Sequence, residues 1–162
     1  MSKQLIAMHK SRKKPCVGDV FVLQPFSGTF YFGKVIQSDL QSDDSFIRGM
    51  FLVYIYDYSS TKKEIVTDFE NSDFLIAPMI INTQPWLKGY FETIGNIPVT
   101  VQERNVEYGF WDVIKKHYVD IKGNVLDSPP KYHSIYGLGS YGIITKEVFK
   151  ALGSDNALES ES

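Results

Sequence analysis

The chain holds one cysteine, three histidines and two tryptophans in 162 residues. Each scarcity closes a route. A single cysteine, Cys16, excludes an internal disulfide and fits a reducing compartment, so a structural thiol is expected there. His9, His117 and His133 are scattered, and without a C-x-x-C or H-E-x-x-H pattern the sequence offers no readable metal site. Long apolar runs are also missing. Crossing a bilayer takes about 20 apolar residues in one helix. The N-terminal "LIAM" is far shorter than a signal-peptide core and leads into "HKSRKKP" rather than a small-residue cleavage site. A soluble, unsecreted, cytoplasmic protein with no cofactor and no membrane partner is expected.

Positive charge becomes scarce after the start. Five basic side chains (Lys3, Lys10, Arg12, Lys13 and Lys14) and no acid fall in the first 14 residues, whereas residues 15–152 carry 12 Lys and Arg against 16 Asp and Glu. An acidic domain repels a phosphate backbone, which leaves the basic segment as the one part suited to nucleic acid. At 43% hydrophobic the chain can fill one core, and its length argues against two. Residues 1–14 are predicted as a flexible basic arm and residues 15–152 as a single domain. The remaining stretch, 153–162, "GSDNALESES", is predicted as a disordered acidic tail.

Phe and Tyr dominate the aromatic content, which suits strands and interfaces alike. "VFVL", the turn signal "PFSG" and "TFYFGKVI" predict a hairpin. "FIRGMFLVYIYDY" is apolar on both alternating faces, as in a strand covered on both sides. Strands in such succession favour antiparallel pairing. Gly33 interrupts the second of them. Glycine weakens a strand, so its presence marks a bulge, a bend or a closely packed aromatic ring, while Gly28 permits a tight turn.

Further along, "SSTKKEIVTDFENSDFLIAP" reads as a short helix that returns "FLIAP" to the sheet, and "WLKGYFETIGNIPVTV" as strand, turn and strand. Lys122-Gly123-Asn124 reads as a hairpin turn. In "TKEVFKAL", Thr145 is placed to cap a helix whose Val148, Ala151 and Leu152 share a face. The fold class that results is α+β and β-rich: a strongly bent antiparallel sheet or partly open barrel with a short C-terminal helix.

Catalytic chemistry has little to stand on. "GLGSYG", Gly137 to Gly142, has G-x-G-x-x-G spacing, but the "IIT" after it prefers strand and no βαβ unit surrounds it. A glycine-rich turn that lets Tyr141 pack is expected instead. Cys16 with either His117 or His133 lacks the local signature of a nucleophile and its base. No catalytic, cofactor-binding or metal-binding residue is assigned. Asp39, Asp43 and Asp44 fall in one predicted loop and Asp68, Glu70 and Asp73 around the predicted short helix, where a joint negative field would attract and orient a basic protein. Core packing is the first expectation for Trp86 and Trp111, with Trp86 kept beside the six carboxylates as a candidate partner-binding anchor.

Three segments in order carry a family pattern: "VGDVFVLQPFSGTFYFGKVI" (Val17 to Ile36), "FLVYIYDY" (Phe51 to Tyr58) and "APMIINTQPWLKGYFETIGNIPV" (Ala77 to Val99), followed by "KGNVLD". Together they resemble the immunity protein 26 family, found beside secreted polymorphic toxins in bacteria. The matching positions, such as Gly18, Asp19, Gly33, Trp86, Gly89 and Gly95, are mainly ones that build a fold. The resemblance implies a cytoplasmic protein that protects its producer by binding and neutralising a cognate protein toxin, without catalysis. A basic toxin would suit the acidic domain. Other readings of the same residues are a non-enzymatic β-barrel adaptor that binds a peptide or protein through aromatic surface residues, and a nucleic-acid-binding basic arm.

Overall fold

The computed structural model describes residues 3–66 and 68–153. Runs of aromatic and β-branched residues form β1 (Asp19–Phe26), β2 (Thr29–Gln37), β3 (Phe51–Ser60) and β4 (Phe74–Ile81), which pair as an antiparallel meander. A fifth strand, β5 (Glu92–Asn96), adds to the free side of β1. The order is β4-β3-β2-β1-β5, and the sheet stays open rather than closing into a barrel. Gly28, at φ 79°, turns the chain between β1 and β2.

A smaller sheet orders β7 (His117–Val119), β6 (Tyr108–Asp112) and β8 (Tyr132–Ile135). Its β6–β8 pair is parallel, a departure from the antiparallel expectation that residues 113–131 make possible by carrying the chain back through β7. Gly123 and Asn124 close the expected turn, with hydrogen bonds from Gly123 N–H to the Asp120 carbonyl and from Asp120 N–H to the Asn124 carbonyl.

Both faces of the large sheet are covered, as the doubly apolar pattern of β3 requires; Phe51 to Tyr56 are all buried. On one face Phe21, Val35 and Val53 meet Trp86, Phe91, Ile144, Val148 and Phe149. On the other, Val22, Phe32 and Leu52 meet Phe69, Val99, Phe110 and Val119.

Gly33 sits opposite Phe21 in the β1–β2 register. A Cβ at Gly33 would stand 2.4 Å from the Phe21 ring. That ring has nowhere to go, because it stacks on Phe91 at 4.3 Å between centroids and meets Trp86 edge-on at 5.4 Å. The β2–β3 register also shifts between Tyr31 and Gly33, so close packing and a backbone irregularity coincide at one residue.

Helices occupy several places where strand was expected. A 3-10 turn spans Phe69–Asn71 ahead of β4, close to the predicted short helix, but "QPWL" forms α1 (Gln84–Leu87), with Pro85 in its first turn where a missing N–H is harmless. The stretch read as the strand "PVTV" instead starts α2 (Val101–Arg104). Thr100 Oγ1 accepts the Glu103 N–H at 3.1 Å and the Glu103 carboxylate accepts the Thr100 N–H at 3.0 Å, a reciprocal capping box.

The C-terminal helix α3 (Tyr141–Ala151) begins earlier than expected, capped by Ser140, whose Oγ accepts the Ile143 N–H at 3.2 Å. Thr145 lies inside it and donates to the Tyr141 carbonyl. Burial of Ile144 against the sheet outweighs the strand preference of "IIT".

Residues 1–14 were expected to form a mobile arm, yet the described part of that segment is attached along its length. Leu5 is buried in the core, and the N–H groups of Ile6, Met8 and Ser11 donate to the carbonyls of Gln24, Gly89 and Trp86. An apolar residue seated under β1 and a row of backbone bonds outweigh the polar composition around them. Beyond Gly153, the stretch expected to be an acidic tail lies outside the described residues. Among the described residues no helix is long and apolar enough to cross a membrane.

Candidate functional site

Beneath α2, the second face of the large sheet carries a charged network inside an apolar layer. Lys34 follows Phe30 and Phe32 on that face and is wholly buried. Its Nζ donates to Glu103 Oε1 at 2.8 Å and to the Pro98 carbonyl at 3.0 Å, with Glu70 Oε2 at 3.6 Å. Tyr56 donates to Glu103 Oε2 at 2.5 Å and Tyr54 to the Glu103 carbonyl at 2.8 Å.

The tyrosines respond to this setting. Burial first, and then the hydrogen bond to Glu103, pushes the Tyr56 hydroxyl far above its ordinary value; burial does the same to Tyr54. Burial also pushes Tyr108 up to about 12. Among the described residues no buried side-chain nitrogen or oxygen lacks a partner. Each buried polar atom of the network thus has a partner within it, and the network ties α2 to β2 and β3.

Among the described residues, three surface cavities bear on function. One of about 510 Å³ lies between Val17, Asn96, Arg104 and Tyr108, and a smaller one of about 140 Å³ between Glu70, Asp73 and Tyr132. The third, also about 510 Å³, is a groove where the outer side of the small sheet meets β4 and α3. Strand alternation sends Phe110 and Val119 into the core and leaves Trp111, Tyr118, His133 and Ile135 on that outer side. Trp111 meets Tyr118 edge-on and Tyr118 meets His133, each at 4.9 Å between centroids.

The sequence-derived candidates disperse. Asp39, Asp43 and Asp44 lie in the loop before β3, whereas Asp73 bonds through its carbonyl to the Asp57 N–H near the far end of that strand. From Phe51 to Asp57 is about 20 Å of extended strand, so the two acidic groups face opposite ends of the sheet. Asp39 pairs with Lys14 at 2.9 Å, and Glu70 turns toward the buried Lys34. Asp43, Asp44, Asp68 and Asp73 remain exposed.

Trp86 is corrected from candidate contact to core residue: it is 1% exposed, and its indole N–H donates to Thr93 Oγ1. The half-buried tryptophan at the surface is Trp111. Cys16 is exposed rather than packed, and neither His117 nor His133, both on the small sheet, is among its hydrogen-bond partners.

Sequence reasoning overlooked Lys34 and Glu103. A signal for each existed in a lone charge on an otherwise apolar strand face and in the T-x-x-E spacing of a capping box.

Among curated proteins and among solved structures, the searches return no match. The family model for Immunity protein 26 matches residues 16–120, which span the whole large sheet, α2, β6 and β7. A match over more than half of the chain, running through the buried network and both sheets, shows that the chain belongs to the immunity protein 26 family.

Proposed function

We propose that this protein binds and neutralises a protein toxin of a polymorphic toxin system in the cytoplasm of the cell that makes it, and that it does so without catalysis. The observation that carries the reading is the family match over residues 16–120. The saturated polar interior is compatible with it, since an inhibitor needs a stable scaffold and a complementary surface. The exposed carboxylates at the two ends of β3 favour a basic partner, drawn in by two separate patches.

Co-expression with the toxin encoded nearest its gene, scored as cell survival and followed by isolation of the complex, tests the reading. Rescue with a stable complex supports it. Death of the cells and no complex, with the toxin active and this protein folded, rejects that pairing. Neutralising Asp43 and Asp44, or Asp68 and Asp73, is expected to lower the association rate and its salt dependence. Unchanged kinetics in both variants would remove the basic partner from the proposal.

A further inference from the structure

The outer side of the small sheet breaks the rule that a sheet with one covered face turns polar residues to water. Ile135 on β8 is 59% exposed and Ile143 on α3 is 46% exposed, flanking a groove floored by Ile76 and Met79. Large apolar side chains gathered around a concavity mark an interaction site.

The charge at this groove has one sign. No Lys or Arg lines it, and Glu147 supplies a carboxylate that forms no ion pair or side-chain hydrogen bond among the described residues. An apolar hollow with an uncommitted carboxylate fits an apolar side chain that has a cationic neighbour.

The two walls also differ in origin. Ile76, Met79, Trp111 and Tyr118 fall within the family match, whereas Ile135, Ile143 and Glu147 come from beyond residue 120. The wall built by Ile135, Ile143 and Glu147 lies outside the matched span, and a contact that separates one toxin from another is one whose strength differs between them.

Resting on the neutralisation reading, we propose that this groove is where the toxin docks. Its occupant is a protruding aromatic or branched aliphatic side chain of the toxin, with a Lys or Arg beside it facing Glu147. The wall built by β8 and α3 sets which toxin is accepted. Ser134 Oγ donates to the Pro78 carbonyl and Gly139 N–H to the Ile80 carbonyl, so this wall is fastened to β4 before any partner arrives. Such pre-organisation lowers the ordering cost of binding.

The test measures affinity of the purified full chain for the toxin encoded beside it. Ile135→Arg and Ile143→Arg are expected to weaken binding at least about 30-fold, the loss typical of an interface hot spot. Glu147→Gln is expected to weaken it about 3- to 10-fold, with a smaller salt dependence. Val101→Arg, at an exposed position on α2, serves as the control and is expected to stay within about twofold.

Groove variants that bind like the unaltered protein, while that protein still binds and protects, would overturn the groove and leave neutralisation standing. An unaltered protein that neither binds nor protects removes both. A second readout guards against misfolded variants: in protein labelled with 5-fluorotryptophan, toxin should shift the Trp111 resonance far more than that of the buried Trp86. A Trp111 resonance that stays in place on saturation would equally overturn the groove.

Discussion

Lys34 Nζ and Glu103 Oε1 stand 2.8 Å apart although 69 positions separate them in the sequence, and the lysine side chain has no contact with solvent. Removing one partner strands the other charge in an apolar layer. Lys34→Met is therefore expected to cost about 3–5 kcal/mol, and the double variant Lys34→Met with Glu103→Leu to recover much of that loss. Urea unfolding of the three proteins checks it. A single variant that loses less than about 1 kcal/mol would show that this pair does not support the fold.

Gly33→Ala places a methyl group against a phenyl ring that Trp86 and Phe91 hold on two sides. The expected cost is about 1–3 kcal/mol, the usual range for overpacking. Phe21→Leu in the Gly33→Ala background should relieve part of it, whereas Phe21→Leu alone should destabilise. Thermal unfolding of the four-member cycle reports the coupling.

Attachment of the N-terminal segment predicts a contrast between two near neighbours. Leu5→Ala should lower stability by about 2–4 kcal/mol, as for other buried leucines, while Lys3→Ala should change it by less than about 0.5 kcal/mol. Equal, negligible effects would mean that residues 3–14 do not contribute to the folded unit. Chemical denaturation midpoints provide the measurement.

Alkaline pH should unfold the protein through its inner tyrosines. Burial raises the hydroxyl values of Tyr54, Tyr56 and Tyr108 above those of the unfolded chain, so the folded state holds these protons more tightly. Their contribution to stability is full below the unfolded value near pH 10 and is lost as pH rises through the folded values, about 12 for Tyr108. Phenolate absorbance at these positions should therefore appear together with the loss of circular dichroism. Ionisation of Tyr56, followed in Tyr56→Phe difference spectra, well before unfolding would contradict this.

The large sheet was legible because its strands obey short-range rules. β3 is apolar on both faces and is covered on both, and Gly33 interrupts β2 where a ring needs its space. The errors lie where distant contacts decide. "PVTV" has strand propensity, but Glu103 both closes the α2 cap and meets Lys34 across the sheet. The "IIT" of α3 likewise yields to burial of Ile144.

The candidate surface was the least legible part. The two carboxylate groups are near neighbours in sequence, but the length of β3 lies between them. Trp111 and Ile135 adjoin in space only because β6 and β8 pair in parallel, a topology that local patterns do not encode. Core packing, the first expectation for both tryptophans, holds for Trp86, and it is Trp111 that lies half-buried at the surface.

Leu5 and Phe149 belong to one core cluster, with Trp86 between them in sequence. A chain growing from its N-terminus cannot close that core until α3 has been synthesised, however early the β1–β4 meander pairs. Translation that stops short of residue 141 leaves the apolar bed of α3 open to water. The core of this face would then close late and in one step, when Ile144, Val148 and Phe149 join residues made more than a hundred positions earlier.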